Sequence, residues 1–170
     1  MSDLAGSITI ERNTKPDLST TRILKNKGID FKLVVLKKDL IEANKNISRS
    51  LNVPLASYVY EIKRLLIVQG IPKAIEISFI PMDLIPGFES IEIEQNSLYE
   101  VLKKEYGIEI DRSEETITLI KAGNAEKMLL RLKDDDLISI NGVSSDKTGT
   151  IVEMYQTIAV CDFFIFKSEI

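Results

Sequence analysis

Apolar residues along the chain follow two spacings, and the spacing in each segment predicts a strand or a helix. Six segments are apolar runs or alternate with a period near two, which is typical of β-strands. Four others begin with Ser or Asn and carry the wider spacing of helices. Strands are predicted at Phe31–Ala43, Tyr58–Val68, Lys73–Ile80, Thr116–Lys121, Leu137–Val143 and Thr150–Phe166, and helices begin at Ser19, Asn44, Ser97 and Asn124.

The order of these segments indicates the fold class. The strands come mostly in neighbouring pairs with helices between the pairs, so the regular alternation of a parallel sheet is missing. We therefore predict an α+β domain built on a mainly antiparallel central sheet. Gln69-Gly70 lies between two of the strands and predicts a hairpin turn. Residues 1–18 predict a flexible lead-in with a short strand at Ile8–Ile10.

Period-two alternation places polar side chains together on one face of the predicted sheet. In the second hairpin strand Glu76 lies between Ala74 and Ser78, while the opposite face of that strand is apolar. In the first hairpin strand Arg64 falls on the face that adjoins Glu76, and Glu153 shares the polar face of the last strand. Two interpretations stay open. This face is either exposed to solvent, as antiparallel sheets often are, or it is the floor of a polar cup.

Two predicted helix starts carry hydroxyl groups. Ser97-Leu98-Tyr99-Glu100 has the S-x-x-E pattern of a capping box, in which Ser97 caps its own helix. A hydroxyl at a helix N-terminus also suits an anionic ligand. Ser19-Thr20-Thr21-Arg22 opens another helix with three hydroxyls and a cation, where the helix dipole prefers an acidic residue. That choice of residues slightly favours a bound anion.

Composition removes several classes of chemistry. The 170 residues include no histidine and one cysteine, Cys161, so a catalytic triad with histidine, a histidine-bearing metal site and an internal disulfide are all excluded. No glycine-rich phosphate loop is present, and we expect neither a cofactor nor a metal. The net charge of −4 disfavours nucleic-acid binding by this chain. Without a signal peptide or a run of ~20 apolar residues, we expect a cytoplasmic protein with no membrane partner.

Several sequence blocks, taken in order, resemble the UTRA domain. That domain is the effector-binding half of bacterial GntR-family regulators of the HutC subfamily and has the chorismate-lyase fold. The resemblance runs from about Leu18 to Phe166 and implies a mainly antiparallel sheet with helices packed on one side. The blocks are Arg64-Leu65, Gly70-Ile71-Pro72, Ala74–Pro81, Pro86-Gly87, Ser97-Leu98-Tyr99, Glu105-Tyr106-Gly107-Ile108, the helix with Ala122, Ala125 and Leu132, and Val152-Glu153.

The resemblance implies a non-catalytic, dimeric domain that binds a small anionic effector, often a sugar phosphate. The family's phosphate-binding positions correspond to Thr20, Thr21, Arg64, Ser97 and Tyr99, and its sugar-binding acids to Glu76 and Glu153. Two departures from the family pattern favour a less charged ligand as the alternative. Leu66 stands where the family has a second arginine, and Ala159-Val160-Cys161-Asp162 lacks an aromatic residue and an arginine.

The family carries a winged-helix DNA-binding half before this domain, and the sequence does not contain it. We therefore expect residues 1–18 to be a lead-in or linker and residues 19–170 to form the effector-binding domain. DNA would be contacted only through the missing half of a repressor.

Two other functions stay open. A chorismate-lyase-like enzyme would use arginines to hold a dicarboxylate and a glutamate as the acid, and the predicted cup offers one arginine, Arg64. Product formation from chorismate that is lost in Arg64→Ala would favour this enzyme. A purely structural dimerisation domain is the other possibility, and a closed core without a cavity near Arg64 and Glu76 would favour it.

Overall fold

The structure, a computed structural model, describes residues 10–12 and 19–167. This part of the chain contains four α-helices, eight strands and two short 3₁₀ turns, at Met82–Leu84 and Phe88–Ser90. The helices are α1 Thr20–Asn26, α2 Lys45–Leu51, α3 Leu98–Tyr106 and α4 Asn124–Leu130. The strands are β1 Ile10–Arg12, β2 Phe31–Glu42, β3 Tyr58–Val68, β4 Ile71–Pro81, β5 Ile110–Lys121, β6 Asp136–Asp146, β7 Ile151–Val160 and β8 Phe164–Phe166.

Six strands form one sheet in the order β2-β3-β4-β7-β6-β5, and each neighbouring pair is antiparallel. β1 and β8 form a separate parallel pair. The predicted hairpin joins β3 to β4, where Gln69 and Gly70 have φ values of 49° and 78°, as a two-residue turn of type I′ requires. The α+β class with an antiparallel sheet is confirmed.

The six-stranded sheet buries apolar side chains on both faces. We call the face that carries Arg64 and Glu76 the cup face, and the opposite one the back face. α1 and α3 pack on the cup face, whereas α2 and α4 pack on the back face. We expected the helices to pack on one side of the sheet, but two of them pack on each face. The cause is that β3 and β4 are apolar on both sides, with Leu66 on the cup face and Leu65 and Ile75 on the back face, so each face needs a cover.

Strand boundaries differ from the prediction where polar residues interrupt the alternation. β5 begins at Ile110 rather than Thr116, because its first half is an exposed edge of the sheet where charged residues carry no burial signal. The long strand predicted up to Phe166 ends at Val160, and a turn precedes β8. Most of the predicted lead-in lies outside the described residues. The described part of it is β1, which overlaps the predicted short strand only at Ile10.

α4 also differs from its prediction. Gly123, rather than Asn124, is the residue that precedes the helix, and the helix ends at Leu130. Its buried side chain is Leu130, which packs on the back face, whereas Met128 on the predicted apolar side is 80% exposed. Leu129 and Leu132, the other two residues of the predicted apolar side, are partly buried against the same cluster, so only Met128 departs from the predicted face.

Candidate functional site

A buried ion pair lies at the centre of the cup face. Arg64 on β3 is directly opposite Glu76 on β4, and its Nη2 donates to Glu76 Oε2 at 2.9 Å. Arg64 is only 5% exposed. Its Nη1 donates to the backbone oxygens of Asn96 at 3.0 Å and Ile93 at 3.4 Å. The guanidinium therefore links two strands of the sheet to the loop that leads into α3. Arg64 and Glu76 lie close together, as predicted.

A second carboxylate, Glu153 on β7, lies in the same region and is 3% exposed. Ser78 Oγ donates to its Oε1 at 2.5 Å, and the hydroxyl of Tyr99 donates to its Oε2 at 2.8 Å. Burial raises the pKa of Glu153, while the two donors and the charge of Arg64 oppose that rise. Both oxygens of Glu153 are thus held by groups of the domain itself.

Tyr99 connects Glu153 to β6 and β5, the two strands at one edge of the sheet. Its hydroxyl lies 3.0 Å from Ser144 Oγ on β6, and that oxygen lies 2.9 Å from Ser113 Oγ on β5. Burial, together with the nearby charge of Glu153, raises the pKa of Tyr99 well above its ordinary value. Tyr99 therefore stays protonated at neutral pH and can donate to the carboxylate.

The starts of α1 and α3 meet through their serine hydroxyls. Ser19 Oγ lies 3.0 Å from Ser97 Oγ and 3.3 Å from Thr21 Oγ1, and Ser97 is 1% exposed. The capping box predicted for Ser97 is not formed, since the Ser97 side chain makes no capping hydrogen bond to α3. Its partner in that motif, Glu100, instead forms an ion pair with Lys25 of α1 at 3.0 Å. Contacts between the two helices replace the local cap.

A small cavity of about 70 Å³ opens beside this junction. Its lining includes hydroxyl and cationic side chains, which suit an anion, and two carboxylates, Glu100 and Glu109, that are paired with Lys25 at 3.0 Å and with Lys103 at 2.6 Å. The lining residues are Ser19, Arg22, Ser97, Tyr99, Glu100, Lys103, Glu109 and Ile110.

The structure thus connects most of the predicted site residues. Hydrogen bonds join Arg64 to Glu76 and Tyr99 to Glu153, and Ser97 begins the helix that carries Tyr99. Thr21 joins through Ser19, whereas Thr20 is buried at the start of α1 without a hydrogen bond to this set among the described residues.

Three serines of this network were missed as contributors. They are Ser78, Ser113 and Ser144. Alternation along β6 places Ser144 on the face of Ile138 and Ile140, and that was the available signal.

A bulge in β7 lies next to Glu153. The register with β6 shifts between Ser144 and Ser145, which lie opposite Glu153 and Ile151. Val152, predicted to lie on the opposite face from Glu153, consequently packs in the cup-face cluster under α3.

A wider groove of about 480 Å³ lies elsewhere, and it includes none of the predicted site residues. Two of its polar side chains, Lys38 and Tyr60, already donate to nearby groups of the domain. Lys38 donates to the backbone oxygens of Glu89 and Ile91 at 2.9 and 2.6 Å, and Tyr60 donates to the Glu89 carboxylate.

Among the described residues, no group of three or more acidic or cysteine side chains is placed to hold a metal ion. In the same part of the chain, no helix is long and apolar enough to cross a membrane.

The fold and the polar cluster together define the class of protein: an antiparallel α+β domain with buried polar groups beneath two joined helix starts. The chain belongs to the UTRA domain family, because the UTRA domain model matches residues 26–164. The resemblance found in the sequence is thereby confirmed.

Two curated relatives come from Bacillus subtilis (strain 168). The uncharacterized HTH-type transcriptional regulator YurK is 29% identical over 96 residues, which are 56% of this chain and 40% of that protein. The HTH-type transcriptional regulator GmuR is 26% identical over 133 residues, which are 78% of this chain and 55% of that protein. The chain thus spans about half the length of these relatives. They are regulators rather than enzymes, which confirms the expectation of a non-catalytic domain.

Solved structures show the same fold. PhnF from Mycobacterium smegmatis matches with a TM-score of 0.86 at 21% identity, over 95% of this chain and 72% of that one. The effector domain of the same protein matches with a TM-score of 0.85 over 99% of its length. A GntR-family transcriptional regulator from Bacillus cereus matches with a TM-score of 0.72 at 23% identity, over 82% of this chain and 98% of that one.

Proposed function

We propose that this domain binds a small anionic metabolite on the cup face, with a sugar phosphate as the leading candidate. Binding would control DNA recognition by a winged-helix part of the same repressor, and the domain would hold two copies of that repressor together. One observation carries the proposal. The start of α3 is connected to Arg64 through Asn96, to Glu153 through Tyr99, and to α1 through Ser97.

The anionic end of the ligand is assigned to the hydroxyl cluster at the two helix starts. Ser97 lines the cavity together with Ser19, Arg22 and Lys103, and Thr20 and Thr21 are buried in the two positions that follow Ser19. Ser97 leaves the first turn of α3 without a side-chain cap, so the positive end of that helix favours a bound anion.

The neutral, hydroxyl-bearing end of the ligand is assigned to Glu76. Its side chain is 19% exposed, and Arg64 donates to Oε2, so Oε1 remains available to accept from ligand hydroxyls. Glu153 has a different role in this proposal, because Ser78 and Tyr99 already donate to its two oxygens. It would orient the Tyr99 hydroxyl and thereby the first turn of α3.

The regulatory step follows from these connections. A ligand can shift an equilibrium between two arrangements of the domain only if it binds one of them more tightly. A ligand held between the start of α3 and Glu76 would favour the arrangement in which these two groups are the correct distance apart. The names of the relatives support this assignment, since YurK and GmuR are HTH-type transcriptional regulators and the PhnF domain is an effector domain.

A thermal-shift screen tests the ligand class directly. The purified domain is heated with a panel of hexose and hexosamine phosphates, with the parent sugars and with inorganic phosphate. We expect at least one sugar phosphate to raise the melting temperature more than its parent sugar and phosphate do. Stabilisation by the neutral sugars alone would contradict the anionic ligand, and no stabilisation by any member of the panel would contradict the sugar phosphate.

Two variants locate the site. Ser97→Ala should lower the affinity for the stabilising compound roughly tenfold or more, as expected when a hydrogen bond to a charged group is lost. Glu76→Gln should lower the affinity for the sugar phosphate and leave the affinity for inorganic phosphate unchanged. Ser90→Ala is the matched control, because Ser90 is exposed and hydrogen bonds only to the nearby Gly87 oxygen. Unchanged affinity in Ser97→Ala would place the anion elsewhere.

A further inference from the structure

The two edge strands of the sheet, β2 and β5, differ in how they avoid pairing with another chain. β2 has a bulge between Val35 and Lys37 and carries several lysines, which are common devices against edge-to-edge association. β5 has neither device between Thr116 and Ile120, a segment without a charged residue or a register shift. An exposed apolar edge of this kind is a template for pairing with a further strand.

The side chains of this segment are unusually exposed for their type. Ile117 is 45% exposed and Leu119 is 76% exposed. Both lie on the cup face, because they are paired with the buried Ile140 and Ile138 of β6. Leaving two large apolar side chains in water on one strand is unfavourable, and covering them would stabilise the molecule.

The outer edge of β5 carries backbone N–H and C=O groups that are directed away from β6 and can pair with another strand. The N–H of Ala122 donates to Asp135 O at 2.7 Å, so the backbone groups of Ala122 are directed towards β6. Because backbone groups alternate along a strand, those of Ile117, Leu119 and Lys121 are directed away from β6. Among the described strands, none pairs with this side of β5.

We propose that two copies of the domain pair through β5, antiparallel, around a twofold axis at Thr118. This arrangement places Ile117 opposite the partner's Leu119 and Glu115 opposite the partner's Lys121. The twofold axis generates each of these contacts twice. The proposal rests on the dimerisation included in the proposed function, and it adds the surface and the register.

The register follows from charge and apolar complementarity. Centring the pair on Ile117 would set Leu119 against Glu115, and centring it on Leu119 would set Ile117 against Lys121. Only the centre at Thr118 pairs the apolar side chains with each other and the acid with the base, and opposite charges across a strand pair are favourable. Glu115 and Lys121 keep their own contacts, with the Tyr155 hydroxyl and with Asp136, on the same exposed surface.

The first experiment measures the oligomeric state of the domain by sedimentation velocity between 1 and ~100 μM, a range in which moderate affinities are resolved. We expect a dimer that Leu119→Lys weakens roughly 100-fold, since symmetry counts the lost apolar contact twice. Leu55→Lys is the matched control, because Leu55 is 68% exposed in a loop away from β5, and this variant should dimerise as the wild type does.

The second experiment tests the register with a disulfide. In the proposed pair Thr118 lies opposite its own copy at a position without hydrogen bonds, where Cα atoms are about 4.5 Å apart and within the range that a disulfide spans. In a Cys161→Ser background, Thr118→Cys should oxidise to a covalent dimer. Thr116→Cys is the control, since it is equally exposed on the same strand but lies opposite the partner's Ile120.

The outcomes separate this inference from the proposed function. A monomeric wild-type domain at all concentrations would overturn both this interface and the dimerisation proposal, while ligand binding is judged independently by thermal shift. A dimer that resists Leu119→Lys, or that cross-links through Thr116→Cys as readily as through Thr118→Cys, would overturn the β5 interface and leave dimerisation standing.

Discussion

Arg64 makes three hydrogen bonds within the domain, out of the five N–H groups that a guanidinium can donate. It neutralises Glu76 and holds the loop before α3 through Asn96 and Ile93. Arg64 would therefore act on a ligand at least partly through Glu76 and through the position of α3. We propose that Arg64 positions Glu76 and α3, and the phosphate contact that the family resemblance implies stays a prediction.

Removal of this guanidinium should destabilise the domain before any ligand is added. We expect Arg64→Ala to lower the free energy of unfolding by roughly 3 kcal/mol, because it leaves a partly buried carboxylate and two backbone oxygens without their donor. Urea denaturation measures this loss. The control is Arg112→Ala, whose ion pair with Glu114 is more than 70% exposed on both sides and should contribute less than about 0.5 kcal/mol. Equal stabilities of the two variants would contradict the structural role of Arg64.

Glu153 predicts a pH dependence of stability. Burial raises its pKa above the ordinary value of 4.5, so the folded state binds this proton more readily than the unfolded chain does. The stabilisation is fully present below about pH 4.5 and is lost as the pH rises through the raised pKa. Glu153→Gln cannot titrate and serves as the reference. Relative to this variant, the wild type should gain unfolding free energy as the pH falls from 7 to 5, and a relative loss would refute the raised pKa.

At the residue scale, the sequence predicts contacts between neighbouring strands better than contacts between helix ends. Alternation alone brought Arg64 and Glu76 together, because a period of two fixes which side chains share a face. The partner of Ser97 was not predictable in this way. Ser19 lies 78 positions away, and its hydroxyl reaches Ser97 only after α1 and α3 have packed on the same face.

At the element scale, β6 and β7 fit together because a glycine on β6 leaves room for an aromatic ring on β7. Gly142 lies opposite Tyr155, and a Cβ at Gly142 would approach the ring atoms of Tyr155 to between 2.3 and 2.8 Å. The tyrosine hydroxyl is held by Glu115 of β5 at 2.6 Å, so the ring bridges three strands. The glycine is required here for space rather than for an unusual backbone conformation.

Gly142→Ala should therefore destabilise the domain by roughly 1–3 kcal/mol, the usual range for overpacking. A thermal or urea melt measures the loss. The same substitution in a Tyr155→Ala background should have a much smaller effect, because the ring that it meets is gone. Additive effects of the two substitutions would show that the ring and the glycine do not interact.

Element boundaries were predictable where burial repeats with a clear period and not at exposed edges. The bounds of β3 match the prediction at both ends, since its strand has neighbours on both sides and apolar residues throughout. The first half of β5 was missed because Asp111–Glu115 are polar and largely exposed, so only the pairing with β6 identifies them as a strand. In the seven-residue α4, Leu129 packs against the sheet as predicted, whereas the burial of Leu130 and the exposure of Met128 follow from how the helix lies on the sheet.

At the scale of the whole molecule, both layers of helices share one sheet. The cup-face and back-face clusters alternate along the same strands, β3, β4 and β7, so neither layer can lose its support alone. This argues for a single cooperative unfolding transition. The sequence contains no tryptophan, and four of its five tyrosines, Tyr60, Tyr99, Tyr106 and Tyr155, adjoin the cup-face clusters, so tyrosine fluorescence reports mainly on that face.

A variant on the back face tests this cooperativity. Leu130→Ala should lower the unfolding free energy by roughly 2–4 kcal/mol and shift the tyrosine fluorescence and circular dichroism midpoints equally, although Leu130 is buried on the opposite face. Met128→Ala on the same helix should change neither midpoint, because Met128 is 80% exposed. Midpoints that separate between the two probes would show that the faces unfold independently.

The hydrogen bonds around Glu153 form a single line of hydroxyl groups with a direction. An ionised Glu153 only accepts, so Tyr99 donates to it, Ser144 must then donate to Tyr99, and Ser113 to Ser144. One proton placed on Oε2 of Glu153 lets that group donate instead, and each hydroxyl along the line can then turn towards the next. The protonation state of one carboxylate on β7 thereby determines the donor-to-acceptor direction of a chain of hydrogen bonds that ends at Ser113 on the edge strand β5.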